Sequence, residues 1–400
     1  MKSPSDAPTW WLVTIVATVG QLLVAMSNHV LPSIAPKLAE SLGVNAALIG
    51  VQVSLTFGVA AVAAATGGPV VLCYGAARTT QLCVLICAVG TLLYAVPSLY
   101  AVALGSVLCG IGLGLINPAA AHMLVKYTPP ERRNLIFSIK QTGVPAGGVI
   151  AALMAPALAV SVGWQWAMAV IATAGVITLL AIQPYRETWD ADRGQSNEKQ
   201  PGVWATVTLV WCAHDLRWLS IVGSLLSAIQ RCLFSFTVIY LVVEHRFGLL
   251  EAGVMLSAIQ FGGFASRIFW GWTADRIGSG FAVMMLICMI SVVTTIALTQ
   301  FDAAWPRPLT LMFFFVLGSA AAGWNGVFHG EAARLSPPGM AGAIAGGTSF
   351  FMFGGVLFGP SLFALAYGGV GSYALTFWSL TAVSLLSLLL LAFARRPRVA

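Results

Sequence analysis

Charge is what this sequence has least of. Only 8% of its 400 residues are Asp, Glu, Lys or Arg, against roughly 25% in soluble domains. With 58% hydrophobic residues, a water-soluble globule is excluded and an integral membrane protein is indicated. Paired cysteines are missing as well. Cys73, Cys83, Cys87, Cys109, Cys212, Cys232 and Cys288 form no CxxC pair and lie almost all in apolar runs, which argues against a disulfide framework. The 5 histidines show no metal-ligand spacing, so neither a metal site nor a cofactor is expected. No nucleophile–base pair is evident, and an enzyme is not expected. The net charge of +7 is explained below by loop topology, without a nucleic-acid partner. The most telling absence is of acid inside the apolar runs. Lys140, Arg231 and Arg267 sit there, and no carboxylate is comparably placed. An ionisable group at membrane depth costs roughly 2.5–3.5 kcal/mol on insertion scales and is a functional candidate by default. Unmatched positive charge calls for a partner that brings negative charge.

What the sequence has is apolar length. A bilayer-crossing helix needs about 20 mostly apolar residues. That length predicts spans at 10–31, 46–70, 79–97, 99–123, 134–157 and 164–184, then at 218–243, 249–273, 280–300, 308–332, 340–366 and 370–394. The first run is too long for the core of a cleaved signal peptide and leads to Leu31-Pro32 with no small-residue cleavage site, so an uncleaved span is expected. The reading is two six-helix bundles, 1–184 and 218–400, joined by a polar linker, 185–217. Within the linker, 203–210 is predicted to be a helix lying on the membrane surface.

Lys and Arg concentrate in cytoplasmic loops. With an internal amino terminus, the inside segments hold Lys2, Arg78, Lys126, Arg132, Arg133, Arg186, Arg193, Lys199, Arg217, Arg276, Arg334, Arg395, Arg396 and Arg398. The outside loops hold only Lys37, Arg246 and Arg307. Both termini are therefore expected in the cytoplasm, and the short loops suggest a bacterial inner (plasma) membrane. The halves also repeat. Asn117, Lys126 and Pro129-Pro130 recur as Asn325, Arg334 and Pro337-Pro338, each 208 positions on (325 minus 117, 334 minus 126, 337 minus 129). Parallel repeats of this kind place a transport site near the bilayer midplane, between the bundles.

The segment Gly271-Trp-Thr-Ala-Asp275-Arg276-Ile-Gly278 resembles the Gly-x-x-x-Asp-Arg-x-Gly loop of the major facilitator superfamily of secondary transporters. The resemblance implies an all-α membrane fold of twelve helices in two pseudo-symmetric bundles, and an inner-gate role for Gly271, Asp275, Arg276 and Gly278. The matching segment Gly68 to Gly75 keeps the glycines, but Leu72 and Cys73 replace the Asp-Arg pair. The amino-terminal half is therefore expected to close mainly by packing. Span 4, from Gly105-Ser106 to Gly110, Gly112 and Gly114, is similar to a family pattern that begins with a proton-coupling arginine. Ser106 stands in that place, so the role does not carry over. Gly143-Val-Pro145-Ala-Gly147-Gly148 approaches a motif of proton-driven exporters.

Individual residues carry alternatives. Arg231 lies 13 residues into span 7 from Trp218, roughly 20 Å along the helix and near mid-membrane. It either ties spans together or offers paired donors to a carboxylate. Lys140 is close enough to the inner end of span 5 to snorkel to water, or it joins Gln141 in lining a cavity. Arg267, beside the gating loop, is read as structural or gating. His29 carries a coupling proton or is a hydrogen-bonded vestibule residue. Asn117 and Asn325 either contact substrate in the cavity or hydrogen-bond between helices, and Gln52, Gln230, Gln260 and Trp324 are candidate substrate contacts. Glu331 and Arg334 are expected to form an ion pair or gate latch, and Glu244 and Glu251 read as solvated. Gly110/Gly114, Gly143/Gly147 and Gly355/Gly359 have the spacing of close helix contacts. The leading expectation is a monomeric secondary transporter of a small organic anion, a carboxylate, with protons as a possible coupling partner. The alternative is a proton-coupled exporter of drugs or metabolites.

Overall fold

The computed structural model describes residues 10–34, 38, 41–43, 48–194 and 202–394. The expectations on Lys2, Lys37, Lys199, Arg395, Arg396 and Arg398 fall outside these residues. Every regular element among them is helical. The first half contains α1 (Trp10–Ser33), α2 (Leu48–Ala65), α3 (Gly67–Tyr74), α4 (Ala76–Tyr94), α5 (Leu99–Tyr127), α6 (Arg133–Gln141), α7 (Gly143–Ser161) and α8 (Gln165–Ile182). Helix α9 (Val203–Cys212) follows. The second half contains α10 (His214–Val243), α11 (Leu249–Ile277), α12 (Gly280–Thr299), α13 (Arg307–Gly323), α14 (Asn325–Arg334), α15 (Ala341–Val370) and α16 (Tyr373–Ala394). Among the described residues 11 helices are long and apolar enough to cross a membrane, or 12 if the pair around Thr66, bent by 61°, is one span. The predicted spans are recovered, with α10 starting earlier than 218.

Three spans are interrupted, and the interruptions matter later. Span 2 bends between α2 and α3. Span 5 breaks at Thr142, between α6 and α7, and span 10 breaks at Trp324, between α13 and α14. Pro145 explains part of the second break. A helical residue 145 would donate its N–H to the carbonyl of Gln141, and proline has none.

The paired glycines hold the bundles together. A Cβ on Gly110 or Gly114 would lie 2.7 or 2.5 Å from the carbonyl oxygens of Thr56 and Ala60, so α5 runs against α2 backbone to backbone. Gly143 and Gly147 do the same against Thr18 and Leu22 of α1, and Gly355 and Gly359 against Ser224 and Ala228 of α10. Small residues are how helices approach closely in an apolar solvent that supplies no hydrophobic drive between them.

The linker is fastened to the first half. Asp190 accepts hydrogen bonds from the backbone N–H groups of Ala77 (2.7 Å) and Arg78 (3.0 Å), capping α4. Burial pushes the Asp190 carboxyl up. Asp192 takes His122 Nε2 and Lys126 Nζ, each at 2.7 Å, and its hydrogen bond to His122 leads in holding its carboxyl below the usual range. A depressed carboxyl contributes stability above its ordinary pKa and loses it as pH falls through the folded value. The linker clamp is thus intact at neutral pH. Asp192→Asn is expected to speed tryptic cleavage after Arg193 several-fold at pH 7.5, with unchanged size-exclusion behaviour; an unchanged cleavage rate would show the clamp to be inert. Helix α9 matches the predicted surface helix, with Trp204 74% exposed and Trp211 stacked on Phe351 of α15 at 5.8 Å. Glu244 corrects its reading as solvated. It accepts from the backbone N–H groups of Tyr373 and Ala374 and caps α16.

Candidate functional site

The two halves meet at the end of the molecule that carries the linker, here the linker side. The N–H groups of a helix's first turn have no partners within the helix. Asp275 of α11 supplies them for α6. Its carboxylate accepts from Asn134 N (3.0 Å), Leu135 N (2.8 Å) and Asn134 Nδ2 (3.0 Å). The negative charge also suits the positive end of the helix dipole. Glycines bring the helices within reach: a Cβ on Gly326 would lie 2.1 Å from Ser138 Oγ and 2.3 Å from its Cα, and one on Gly271 would lie 2.3 Å from the same Oγ.

The repeat-related contact is made without charge. A Cβ on Gly68 would lie 2.6 Å from Ala343 Cβ, and one on Gly346 would lie 2.1 Å from the carbonyl oxygen of Ala64. This is the place where Leu72 and Cys73 replace the Asp-Arg pair. Arg276 is exposed and sits 5.7 Å over the ring of Trp272, while Gly278 ends α11 at φ 71°. Glu331 pairs with Arg334, at 2.7 Å to Nη2. It also accepts from Gly280 N at 2.9 Å, capping α12.

On the side away from the linker the halves part around a cavity. Its innermost chamber, about 150 Å³, is lined by residues of both halves, among them Gln21, His29, Phe57, Asn117, Gln141, Gln230, Arg231, Phe234, Arg267, Asn325, His329 and Phe353. Two outer chambers, about 350 and 260 Å³, share His29 with it and reach Pro360 and Ser361 on one side and Pro145 and Gln260 on the other. Among the described residues, no acidic one lines any of the three.

The three cations have separate fates. Lys140 is 2% exposed and does not snorkel. Its Nζ donates to Gln21 Oε1 at 2.5 Å and to Asn117 Oδ1, so it stands behind the wall and acts on the cavity through two amides. Arg267 donates through Nε to the Ala322 carbonyl at 3.0 Å and through Nη1 to the Gln141 carbonyl. Those carbonyls flank the breaks in spans 10 and 5, and the second is the one Pro145 leaves without a helical donor. Arg267 therefore completes two broken helices, one in each half, while also lining the cavity. Arg231 is different. Among the described residues it makes no hydrogen bond and no ion pair, and its guanidinium stands 4.9 Å from the ring centroid of Phe57.

The remaining candidates divide. Asn117, Gln141, Gln230, Asn325 and His29 line the cavity, and Asn325 Nδ2 donates to Gln230 Oε1 at 3.2 Å. Gln52 and Trp324 do not line these chambers. Gln52 Nε2 donates to Thr56 and Tyr94 within the first half, and Trp324 is fully buried with Nε1 on the Ala321 carbonyl. Gln52 is spent partly on a neighbouring helix through Tyr94, and Trp324 on its own span. Sequence reasoning missed His329, Gln21, Asn28 and Phe57. Helical spacing could have found two of them, since Gln21 and Asn28 stand seven apart, on the same face as His29.

The sequence pattern of the Major Facilitator Superfamily matches residues 17–360. The chain belongs to that superfamily. An uncharacterized MFS-type transporter of Mycobacterium tuberculosis is 26% identical over 198 residues, which is 48% of this chain and 42% of that protein. Plastidic glucose transporter 4 of Arabidopsis thaliana is 29% identical over 47% of this chain and 36% of its own. The 4-hydroxybenzoate transporter PcaK of Acinetobacter baylyi is 28% identical over 40% of this chain and 36% of its own. The matches thus span less than half the length of these relatives. Among solved structures, the human organic anion transporter MFSD10 superposes with a TM-score of 0.78 at 17% identity, covering 96% of this chain and 100% of that one. The fucose:proton symporter of E. coli gives 0.77 at 14% identity, covering 97% and 100%. At these identities the likeness establishes the major facilitator fold of two six-helix bundles.

Proposed function

We propose that this major facilitator protein is a secondary transporter of a small organic anion, a carboxylate, working by alternating access as a monomer in the inner membrane. The linker side then faces the cytoplasm, as the distribution of Lys and Arg supports, and the cavity faces outward. One observation carries the reading: among the described residues, Arg231 lines a membrane-embedded cavity with no acid in its walls and has no hydrogen-bond or ion-pair partner. A guanidinium offers a planar fork of donors that matches a carboxylate. The 4-hydroxybenzoate transporter PcaK, one of the relatives, handles an anionic cargo. The exporter alternative rests on the span-5 glycines alone, and close packing of Gly143 and Gly147 against α1 accounts for them equally well. His29, which lines all three chambers, is the proposed proton carrier.

The test is counterflow in proteoliposomes with radiolabelled carboxylates, neutral sugars and organic cations. Saturable exchange of at least one carboxylate and of neither other class is expected. Net uptake should rise as external pH falls from 8 to 6, and His29→Gln should flatten that profile while exchange persists. Sugar or cation exchange without carboxylate exchange would overturn the anion reading. A pH profile unchanged in His29→Gln would remove only the histidine's role.

A further inference from the structure

Beside the cavity floor lies a buried polar atom that the anion reading leaves unused. His329 of α14 is 3% exposed and lines the same chamber as Arg231, and its Nε2 is buried with no hydrogen-bond partner among the described residues. Such a group is costly until something completes it. Several oxygens around the same chamber are already engaged, while Asn28 Oδ1, which belongs also to an outer chamber, is likewise buried without a partner among the described residues. Lys140 holds Gln21 and Asn117, Arg267 holds the carbonyls of Gln141 and Ala322, and Asn325 holds Gln230. The charged groups that act on His329 are the cations Lys140 and Arg267.

The two ends of the chamber differ. Arg231 also lines an outer chamber, whereas His329 lines the innermost one alone. Apolar surface completes the chamber wall: Phe57, Leu113, Phe234, Met352 and Phe353. A space of about 150 Å³ is the size of an apolar cavity that accommodates a single benzene ring. A cation and an unsatisfied amide oxygen towards the outer chamber, an apolar belt, and an unsatisfied nitrogen at the inner end describe a ligand with two unlike ends.

We propose that His329 is a specificity-determining residue and that the cargo is a compact bifunctional carboxylate: its anionic end on Arg231, a body of about one ring against the phenyl groups, and a hydroxyl or similar hydrogen-bonding group on His329 Nε2. This rests on the anion reading for the Arg231 end. It adds what the other end must carry. A site built to hydrogen-bond a ligand hydroxyl rejects the analogue that lacks it, because the buried polar group is then left unpaired.

The experiment is binding to the purified full chain, using 3- and 4-hydroxybenzoate against 3- and 4-methylbenzoate, and 4-hydroxybutyrate against pentanoate. In at least one pair the wild type is expected to prefer the hydroxy acid by about ten-fold or more. His329→Leu should erase that preference while holding the methyl analogue within about two-fold, which also certifies that the variant is folded. His329→Gln, which keeps a donor and an acceptor, should restore part of it. Carboxylate binding that Arg231→Ala removes, but with no hydroxyl preference or one that His329→Leu retains, would overturn the proposal and leave the anion reading standing. Absence of carboxylate binding altogether would overturn both.

Discussion

Arg231→Ala is expected to lower carboxylate uptake by about 100-fold or more, through loss of affinity and not of folded protein. Hydrogen bonds from an ionised donor contribute roughly 1.5–3 kcal/mol, and stranding a desolvated charge by removing its partner costs about 3–5 kcal/mol. Among the described residues the guanidinium is the one cation of the three without an internal acceptor, so little in the empty protein depends on it beyond its contact with the Phe57 ring. The variant is therefore expected to remain monodisperse, with a thermal midpoint equal to or above the wild type, because removing an unpaired charge at depth relieves a penalty. Arg231→Lys should recover only part of the uptake, since an ammonium keeps the charge and loses the planar fork. Two measurements decide: proteoliposome uptake and thermal unfolding. A midpoint several degrees lower, with uptake merely halved, would make Arg231 a structural tie between spans.

Gly326→Val should be nearly as damaging for an opposite reason. The added side chain would enter a space where Ser138 already lies 2.1–2.3 Å from the Cβ position, part of it backbone. Backbone cannot swing aside, and overpacking costs about 1–3 kcal/mol or more even where some relaxation is available. The linker-side closure would be the state penalised, while the state with the linker side open would not. A bias of about 5.5 kcal/mol carries a two-state equilibrium from 1:99 to 99:1, so a clash of this kind shifts the population substantially. The expected result is transport lowered by about ten-fold or more, with a cysteine placed at Ser138 or Asn134 labelled faster from the linker side. Asp275→Asn should shift labelling in the same direction and by less, because the amide keeps one oxygen for the N–H groups of Asn134 and Leu135. Slower labelling in Gly326→Val would mean that this face does not part during transport.

The sequence showed depth far better than direction. Arg231 was placed at mid-membrane by counting residues along span 7, since a helix fixes rise per residue. Lys140 could not be placed the same way. Its distance from the helix end allowed either water or the interior, and only the positions of Gln21 and Asn117 decide. Spans apolar all round carry no amphipathic stripe to announce which face meets the cavity. Gln52 and Trp324 therefore looked as suitable as Gln230 and Asn325, and His329 was passed over. The Asp275 contact was legible because a short motif marks the residue. The caps made by Asp190 and Glu244 were not, because each joins residues more than 100 positions apart.

Arg267 grips one carbonyl from each half, Gln141 in the first and Ala322 in the second. Any rocking motion that parts the linker-side ends has to pull the guanidinium off one of them, and the Gln141 oxygen has no helical N–H waiting to replace it, because residue 145 is a proline. The same side chain that repairs the backbone when the far side is open thus leaves a defect behind when the linker side opens. In the proposed cycle this contact favours the state with the linker side closed, and the stroke that opens the linker side is the one the cargo has to drive.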